Sequence, residues 1–293
     1  MKLKPIIFID QLLYRIREDS VTATGSQLTF SLILSLFPFI IVFLNVLSYT
    51  PLVREDVLND MIYYLPLETQ KIISGFAKEI AKTSSQGLLS IAAILGLWSA
   101  STGLKAVIEA INRAYDYEEN RSFIHLRLMS LIFTIGLIVL LTLVFFTLVF
   151  GEILGKKISS SFGDLDIFKT LWSWIRIVIP LLYMILIFAL LYKFSPAKNK
   201  LNEISLTSTL PGATFATLGW MVISIFFSYY VNNFGRFAIT YGSLVGIILL
   251  LIWLYISSII IVLGGEINAT LKYFRVYGYK WHRNKSLVAN LID

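Results

Sequence analysis

The sequence predicts an all-α polytopic membrane protein with six transmembrane helices and additional short amphipathic helices. Three observations predict it. The chain has 293 residues, 57% of them hydrophobic, and a mean hydropathy of +0.76. Only 15% of it is charged, against about 25% in soluble domains, so it lacks the polar surface to cover itself in water. Several uncharged stretches reach the ~20 residues that carry a helix across ~30 Å of hydrocarbon.

The elements follow in order. In the N-terminal segment, 1–25, Ile9, Leu12, Leu13 and Ile16 recur at helical spacing beside Arg15 and Arg17. That pattern predicts a short amphipathic helix on the cytoplasmic face. The apolar run before Asp10 is too short for a signal-peptide core, so the first span is expected to direct insertion. That span is Ser26–Tyr49, with Pro38 at its middle. Pro38 leaves the carbonyl of Leu34 without its helical partner and predicts a kink. A long extracytoplasmic loop at about 50–87 carries Val57, Met61 and Tyr64, then Ile72, Phe76 and Ile80, separated by Pro66. It reads as two short amphipathic helices.

The second span, Leu88–Leu104, contains "LWSASTGL", whose small hydroxyl residues suit close helix packing, and runs on into "EAINRAY". The third is Leu128–Gly151, bounded by Arg127 and Glu152. The fourth is Leu171–Tyr192 and contains Pro180. Its Arg176 follows Trp172 and Trp174, an arrangement that suits an outer aromatic belt with the arginine reaching a lipid headgroup. The fifth, Leu206–Val231, carries Pro211 in "PGA", either kinking the span or sitting in its first turn. The sixth is Tyr241–Gly265. Its Gly242 and Gly246 form a GxxxG pair, through which a homo-oligomer could form.

These spans make one domain, 26–270, followed by a basic tail, 271–293. The N-terminal segment, the loop after the second span, the loop after the fourth and the tail hold twice as many Lys and Arg residues as the opposite side. That bias predicts both termini in the cytoplasm. The net charge of +7 is therefore a topology signal, and no compact basic domain exists for nucleic acid.

Polar chemistry gathers at one membrane level. No charge occurs from Phe237 to Gly265, and then come Glu266 and Asn268. Glu266 lies thirteen residues beyond the middle of the sixth span at Trp253, roughly 20 Å along the axis against a core half-thickness of ~15 Å. It is expected at the cytoplasmic interface, on a helix end loosened by Gly264 and Gly265. If the helix continued, Glu266 and Asn268 could not face one pocket, and Glu266 is the one expected to point inward. At the same level Glu109, Asn112 and Arg113 share a helix face, with Glu109–Arg113 spaced for an intrahelical pair. The sharper expectation is that Asn112 or Arg113 meets Glu266 across helices. Pro38 and Pro211 are candidate substrate-path positions, because freed carbonyls mark pathways in many transporters.

The chain has no cysteine and two histidines, neither beside an acidic cluster, so no metal or cofactor is expected. No catalytic motif occurs, and no enzymatic activity is expected.

"SLFPF" at 35–39, "LWSAS" at 97–101, "NRAY" at 112–115, "PGA" at 211–213 and "YGSL…IWLY…GGEINA" across 241–269 resemble the YihY/BrkB family of bacterial inner-membrane proteins. The first block departs from the family pattern, with Gln27 and Phe30 in an otherwise aromatic-rich stretch. The resemblance implies a six-helix core, cytoplasmic termini and the bacterial plasma membrane. It carries no catalytic or ligand-binding residue, and it includes members linked to lipid or solute movement. The expected function is translocation of a lipid-like or small organic substrate, with membrane lipids as the surroundings. The alternative is a non-transporting scaffold that organises envelope enzymes.

Overall fold

The computed structural model describes residues 4–48, 86–161, 166–197, 204–234 and 244–278. The loop expected at 50–87 and the tail beyond Gly278 lie almost wholly outside the described residues, as does Gly242. Seven helices, and no strand, occur among the described residues: α1 Lys4–Glu18, α2 Val21–Ser48, α3 Gln86–Ala114, α4 Phe123–Ser161, α5 Asp166–Phe194, α6 Leu206–Phe234 and α7 Leu244–Tyr277. Four contain stretches long and apolar enough to cross a membrane: Ile94–Ala114, Phe123–Val144, Leu206–Val231 and Gly246–Tyr277. Shorter apolar stretches, Val21–Leu36 and Val178–Phe194, lie in α2 and α5. Large side chains such as Phe30, Ile94, Ile132, Ile225 and Phe226 stand exposed on these helices. Such surface suits hydrocarbon rather than water.

The described helices form two compact units, each built from segments distant in sequence. One comprises Met1–Leu34, Gly103–Ser130 and Met184–Asp293, and the other Ser35–Thr102 and Leu131–Tyr183. The second unit is apolar at its centre, where Val42, Phe43 and Ile138 pack with Phe39, Leu97 and Leu141. Pro38 sits there inside an unbroken α2, and Gly96 lets α3 approach Val42 and the Pro38 carbonyl. Arg176 lies in α5, but its side chain falls outside the described residues.

The first unit holds the polar chemistry. Its α1 has two distinct faces. Asp10, Gln11 and Arg15 are buried, while Ile6, Ile9 and Leu13 face outward. A polar stripe thus packs against protein, and the apolar stripe is free for the lipid surface. Phe8 meets Phe274 of α7 at 6.2 Å between ring centroids. Ser20, at φ 46°, ends α1 in a left-handed turn and starts α2. Val21, Gly25 and Leu28 then share one face of α2. A side chain at Gly25 would strike Ile259 of α7, with Cβ 2.7 Å from its Cγ1.

α7 corrects the expected helix end. It runs without interruption through Gly264 and Gly265 to Tyr277. Its stop is Gly278, at φ 73°, whose N–H donates to the Phe274 carbonyl at 3.0 Å. Glycine in this left-handed position is the common helix terminator. The helix is roughly 51 Å long at ~1.5 Å per residue, well beyond the ~30 Å hydrocarbon core. Its apolar span and its polar junction are therefore one rigid rod.

Candidate functional site: a buried polar junction beside an open cavity

Gly264 and Gly265 remove bulk rather than unwind the helix. A Cβ on Gly264 would collide with the Tyr192 hydroxyl and lie 2.8 Å from the Gly212 carbonyl oxygen. A Cβ on Gly212 would fall onto the Gly264 carbonyl and the Asn268 amide. Backbone thus meets backbone where α6 crosses α7. Tyr192 of α5 is fully buried and donates its O–H to the Ile261 carbonyl at 2.7 Å.

Asn268 joins the same crossing. Its Oδ1 accepts the Gly212 N–H at 2.8 Å, and its Nδ2 donates to the Thr209 carbonyl at 3.1 Å. Near it lies Tyr115, whose phenol is held above its ordinary range mainly by burial. Ser205 caps α6, its Oγ accepting the Ser208 N–H at 3.2 Å. Pro211 lies past the first turn, within the helix. Asn268 is therefore a clamp between helices.

Glu266 faces another direction on the continuous helix, as the angular spacing requires. Both residues nevertheless point inward, Glu266 at 0% exposure and Asn268 at 2%, which corrects the expectation that only one would. The cation beside Glu266 is Arg15 of α1, with Nη1 3.9 Å from Oε2. The expected partner, Arg113, points elsewhere and donates to the Gln27 side chain at 3.2 Å. The expected Glu109–Arg113 pair is absent too, because Glu109 pairs with Lys105 at 3.0 Å. Of that trio only Asn112 is buried. Its Nδ2 donates to the Tyr117 carbonyl at 2.8 Å, and its Oδ1 accepts the Ala197 N–H at 2.7 Å. It closes the turn after α3 and ties it to the end of α5.

Arg15 is the hub. It donates from Nη1 to the Ala114 carbonyl at 3.2 Å and from Nη2 to Asp116 Oδ2 at 2.9 Å. Its guanidinium lies 5.9 Å from the Tyr273 ring centroid. Asp116 is poised by a left-handed backbone, φ 56°, that ends α3. Asp19, in the turn between α1 and α2, is a further acid whose charge acts on Glu266. No hydrogen-bond donor among the described residues reaches either Glu266 oxygen, and the charges that act on it are those of Asp19, Arg15 and Asp116. Asp19 itself is held above the ordinary carboxylate range, by burial first and then by Asp116.

Above this junction lies an open cavity of about 510 Å³. Glu18, Asp19, Asp116 and Glu118 supply its carboxylates, Arg113 its cation, and Gln27, Thr24 and Tyr117 its neutral polar groups. Of the sequence candidates only Arg113 lines it. Glu266, Asn268 and Asn112 are buried outside its lining, Glu109 is paired on the helix surface, and Pro38 belongs to the other unit. Among the described residues no group of three His, Cys, Asp or Glu side chains is placed to hold a metal ion.

Apolar helices that enclose a buried Arg–carboxyl junction beside an acidic cavity define a polytopic helical membrane protein with an internal polar centre. More particularly, the chain belongs to the virulence factor BrkB family, whose model matches residues 12–286. It is similar to the ribonuclease-like protein YfkH of Bacillus subtilis, at 39% identity over 264 residues, covering 90% of this chain and 94% of that protein. It is also similar to a UPF0761 membrane protein of Aliivibrio salmonicida, at 28% identity over 276 residues, covering 88% and 80%. A UPF0761 membrane protein of Tolumonas auensis matches at 28% over 283 residues, covering 93% and 85%. No solved structure matches the chain.

Proposed function

We propose that the protein is a translocator of a lipid-like or small organic substrate in the bacterial inner membrane. In this reading it has six spans and both termini in the cytoplasm, lies among membrane lipids, and pairs with further copies through exposed helix faces. The observation that carries it is the cavity of about 510 Å³, lined by ionisable groups at one end of otherwise apolar helices. Charge inside a membrane protein is costly to keep and marks substrate and ion pathways. A protein that only anchored other proteins would be served by a bundle filled with Leu, Ile and Phe. Arg113 and the four carboxylates contact the substrate in this reading, and Asn112 holds the turn after α3 that lines the cavity. No catalytic step is part of it.

The test is flux in liposomes holding the full chain, with labelled phospholipids and small charged or zwitterionic solutes as probes. Ala23 lines the cavity from an exposed position, so Ala23→Trp plugs it without touching the core. Wild-type flux of a probe above empty liposomes, lost in Ala23→Trp, is the expected result. Folded protein that moves none of the probes, or flux indifferent to the plug, refutes the proposal.

A further inference from the structure

The cavity is short of positive charge. Glu18, Asp19, Asp116 and Glu118 face it, while Arg113, the one cation of its lining, donates to the neutral Gln27 side chain at 3.2 Å. The acids repel one another. Asp19 registers this, its carboxyl held above the ordinary range by burial first and then by Asp116. Of the four it is Asp116 that a cation holds: Arg15 reaches it at 2.9 Å and is not itself part of the lining. Among the described residues no group of three such side chains is placed to hold a metal ion. An occupant that meets several of these acids is therefore larger than a metal ion, and the cavity of about 510 Å³ has room for it.

A second observation, behind the cavity wall, points to a ligand at Asp116. Glu266 is fully buried, and neither of its oxygens has a hydrogen-bond partner among the described residues. Arg15 Nη1 lies 3.9 Å from Glu266 Oε2, just beyond hydrogen-bond reach. A buried acceptor without a donor is costly, whereas Asp116, with 54% of its side chain exposed, is open to solvent. Arg15 nevertheless gives its closest charged contact to the exposed acid. A small swing of the guanidinium separates the two arrangements, so a ligand that takes Asp116 from the cavity side frees Arg15 for Glu266.

We propose that the cavity binds an organic cation, a protonated amine, and that its arrival at Asp116 hands Arg15 over to Glu266. The ammonium replaces the guanidinium at Asp116, so that acid stays paired throughout. Arg15 then donates to Glu266, which gains the donor it lacks, and no charge is added to the buried side. A ligand shifts such an equilibrium only by its differential interaction with the two states. An ammonium has that difference, because it competes with Arg15 for the same carboxylate. An anion meets four acids instead, and a neutral molecule leaves Arg15 where it is. The same ammonium chemistry is offered by a free amine and by an amine on a lipid headgroup.

This proposal rests on the translocator reading for the use of the cavity, and equilibrium binding separates the two. Purified full chain in nanodiscs of phosphatidylglycerol, which carries no amine, is titrated calorimetrically with ethanolamine hydrochloride and with putrescine dihydrochloride. Sodium chloride and sodium acetate at matched ionic strength are the controls. The amines should bind saturably and the controls should not. Nanodiscs containing phosphatidylethanolamine identify the source: a headgroup site loses its response to free amine there, and a free-amine site titrates alike in both lipids. Glu118→Gln, at an exposed position, should weaken amine binding by up to about fivefold. Asp116→Asn should weaken it by about tenfold or more.

Glu266 is a positioning residue in this scheme. Glu266→Gln keeps an acceptor for Arg15 and should keep amine affinity, whereas Glu266→Leu removes it and should lose about tenfold or more. Should Glu266→Leu fail to fold, spin labels carry the same test in a chain without native cysteine. Labels on Arg17→Cys and Asn120→Cys, both exposed, report how firmly α1 holds the turn after α3. Ethanolamine should shift or broaden their distance distribution, and sodium should not. Amines that bind no better than sodium, affinity indifferent to Asp116→Asn, or equal affinity in Glu266→Gln and Glu266→Leu overturns the proposal, as does a label distance unmoved by amine. Flux that Ala23→Trp abolishes, with no amine binding, overturns the amine and leaves the translocator. Amine binding without flux does the reverse.

Discussion

Gly212→Ala tests the α6–α7 crossing more sharply than any larger change. The added methyl lands on the Gly264 carbonyl oxygen and the Asn268 amide. The first obstacle is backbone in a continuous helix, so no rotamer relieves it. Overpacking of this kind costs about 1–3 kcal/mol. Moving the Asn268 amide also weakens its bonds to Gly212 and Thr209, each worth about 0.5–1.5 kcal/mol. The total is about 2–6 kcal/mol. Helix propensity acts the other way, since Ala is better than Gly by about 1 kcal/mol, leaving a net loss of about 1–5 kcal/mol. At about 2–4 °C per kcal/mol for a large domain, the melting temperature should fall by several degrees. Gly246→Ala is the control, because nothing lies within 4 Å of a Cβ there. Thermal unfolding of both variants in one detergent, followed by circular dichroism, decides the matter. If Gly212→Ala melts with Gly246→Ala, the two backbones are not in contact and the glycines have another purpose.

Arg15→Gln should destabilise strongly, by about 3–5 kcal/mol where a buried pair loses one partner, whereas Arg113→Gln should stay within about 0.5 kcal/mol as a surface change. Equal melting temperatures for the two would contradict Arg15 as the hub. Asn268→Ala leaves the Gly212 N–H without its acceptor and should cost about 1–3 kcal/mol, read in the same melts. Asn112→Ala frees the turn after α3 from Ala197, and limited proteolysis should then cut near residues 116–122 several times faster than in wild type. Asp19 gives a pH dependence. A carboxyl raised above its ordinary 3.8 stabilises the fold most at low pH, and that stability is lost as pH rises through the folded value. Mild acidification from neutral should therefore raise the wild-type melting temperature, and Asp19→Asn should flatten the rise. Parallel curves for the two would refute it.

Much of the fold was legible because hydrocarbon imposes a simple rule on sequence. Long uncharged runs had to be helices, and the stretches long and apolar enough to cross a membrane in α3, α4, α6 and α7 overlap the expected spans, those in α3 and α7 running past the expected ends to Ala114 and Tyr277. Helix ends were less legible. Gly264 and Gly265 look like a terminator only if the partner helix is ignored; the true terminator, Gly278, lies beyond an amphipathic stretch that reads as tail. The site was half legible. Glu266, Asn268 and Asn112 stand out as polar residues where apolar ones are expected, and all three are buried. Their partners were hidden by distance. Arg15 is 101 residues from Asp116, and Asn112 is 85 from Ala197, so no local spacing announces either contact. One signal existed for Arg15. Asp10, Gln11 and Arg15 form a polar stripe on a short helix otherwise rich in Ile and Leu, and at a membrane surface the apolar side faces lipid. The polar side must then face protein.

The glycines and the acid in "GGEINA" belong to one physical device. By removing side chains, Gly264 and Gly212 let two helices and Tyr192 close on one another. Two residues further along the same continuous helix, Glu266 is fully buried and faces Arg15 at 3.9 Å. The crossing fixes the position of α7, and with it the place at which Glu266 meets Arg15. A displaced helix would carry Glu266 away from the guanidinium, and attraction between charges weakens as water enters. Close packing at 212 and 264 is therefore part of the electrostatics at 266. The two perturbations should couple: the stability losses of Gly212→Ala and Arg15→Gln should fall short of additive in the double variant. Two independent sites, by contrast, would give additive losses.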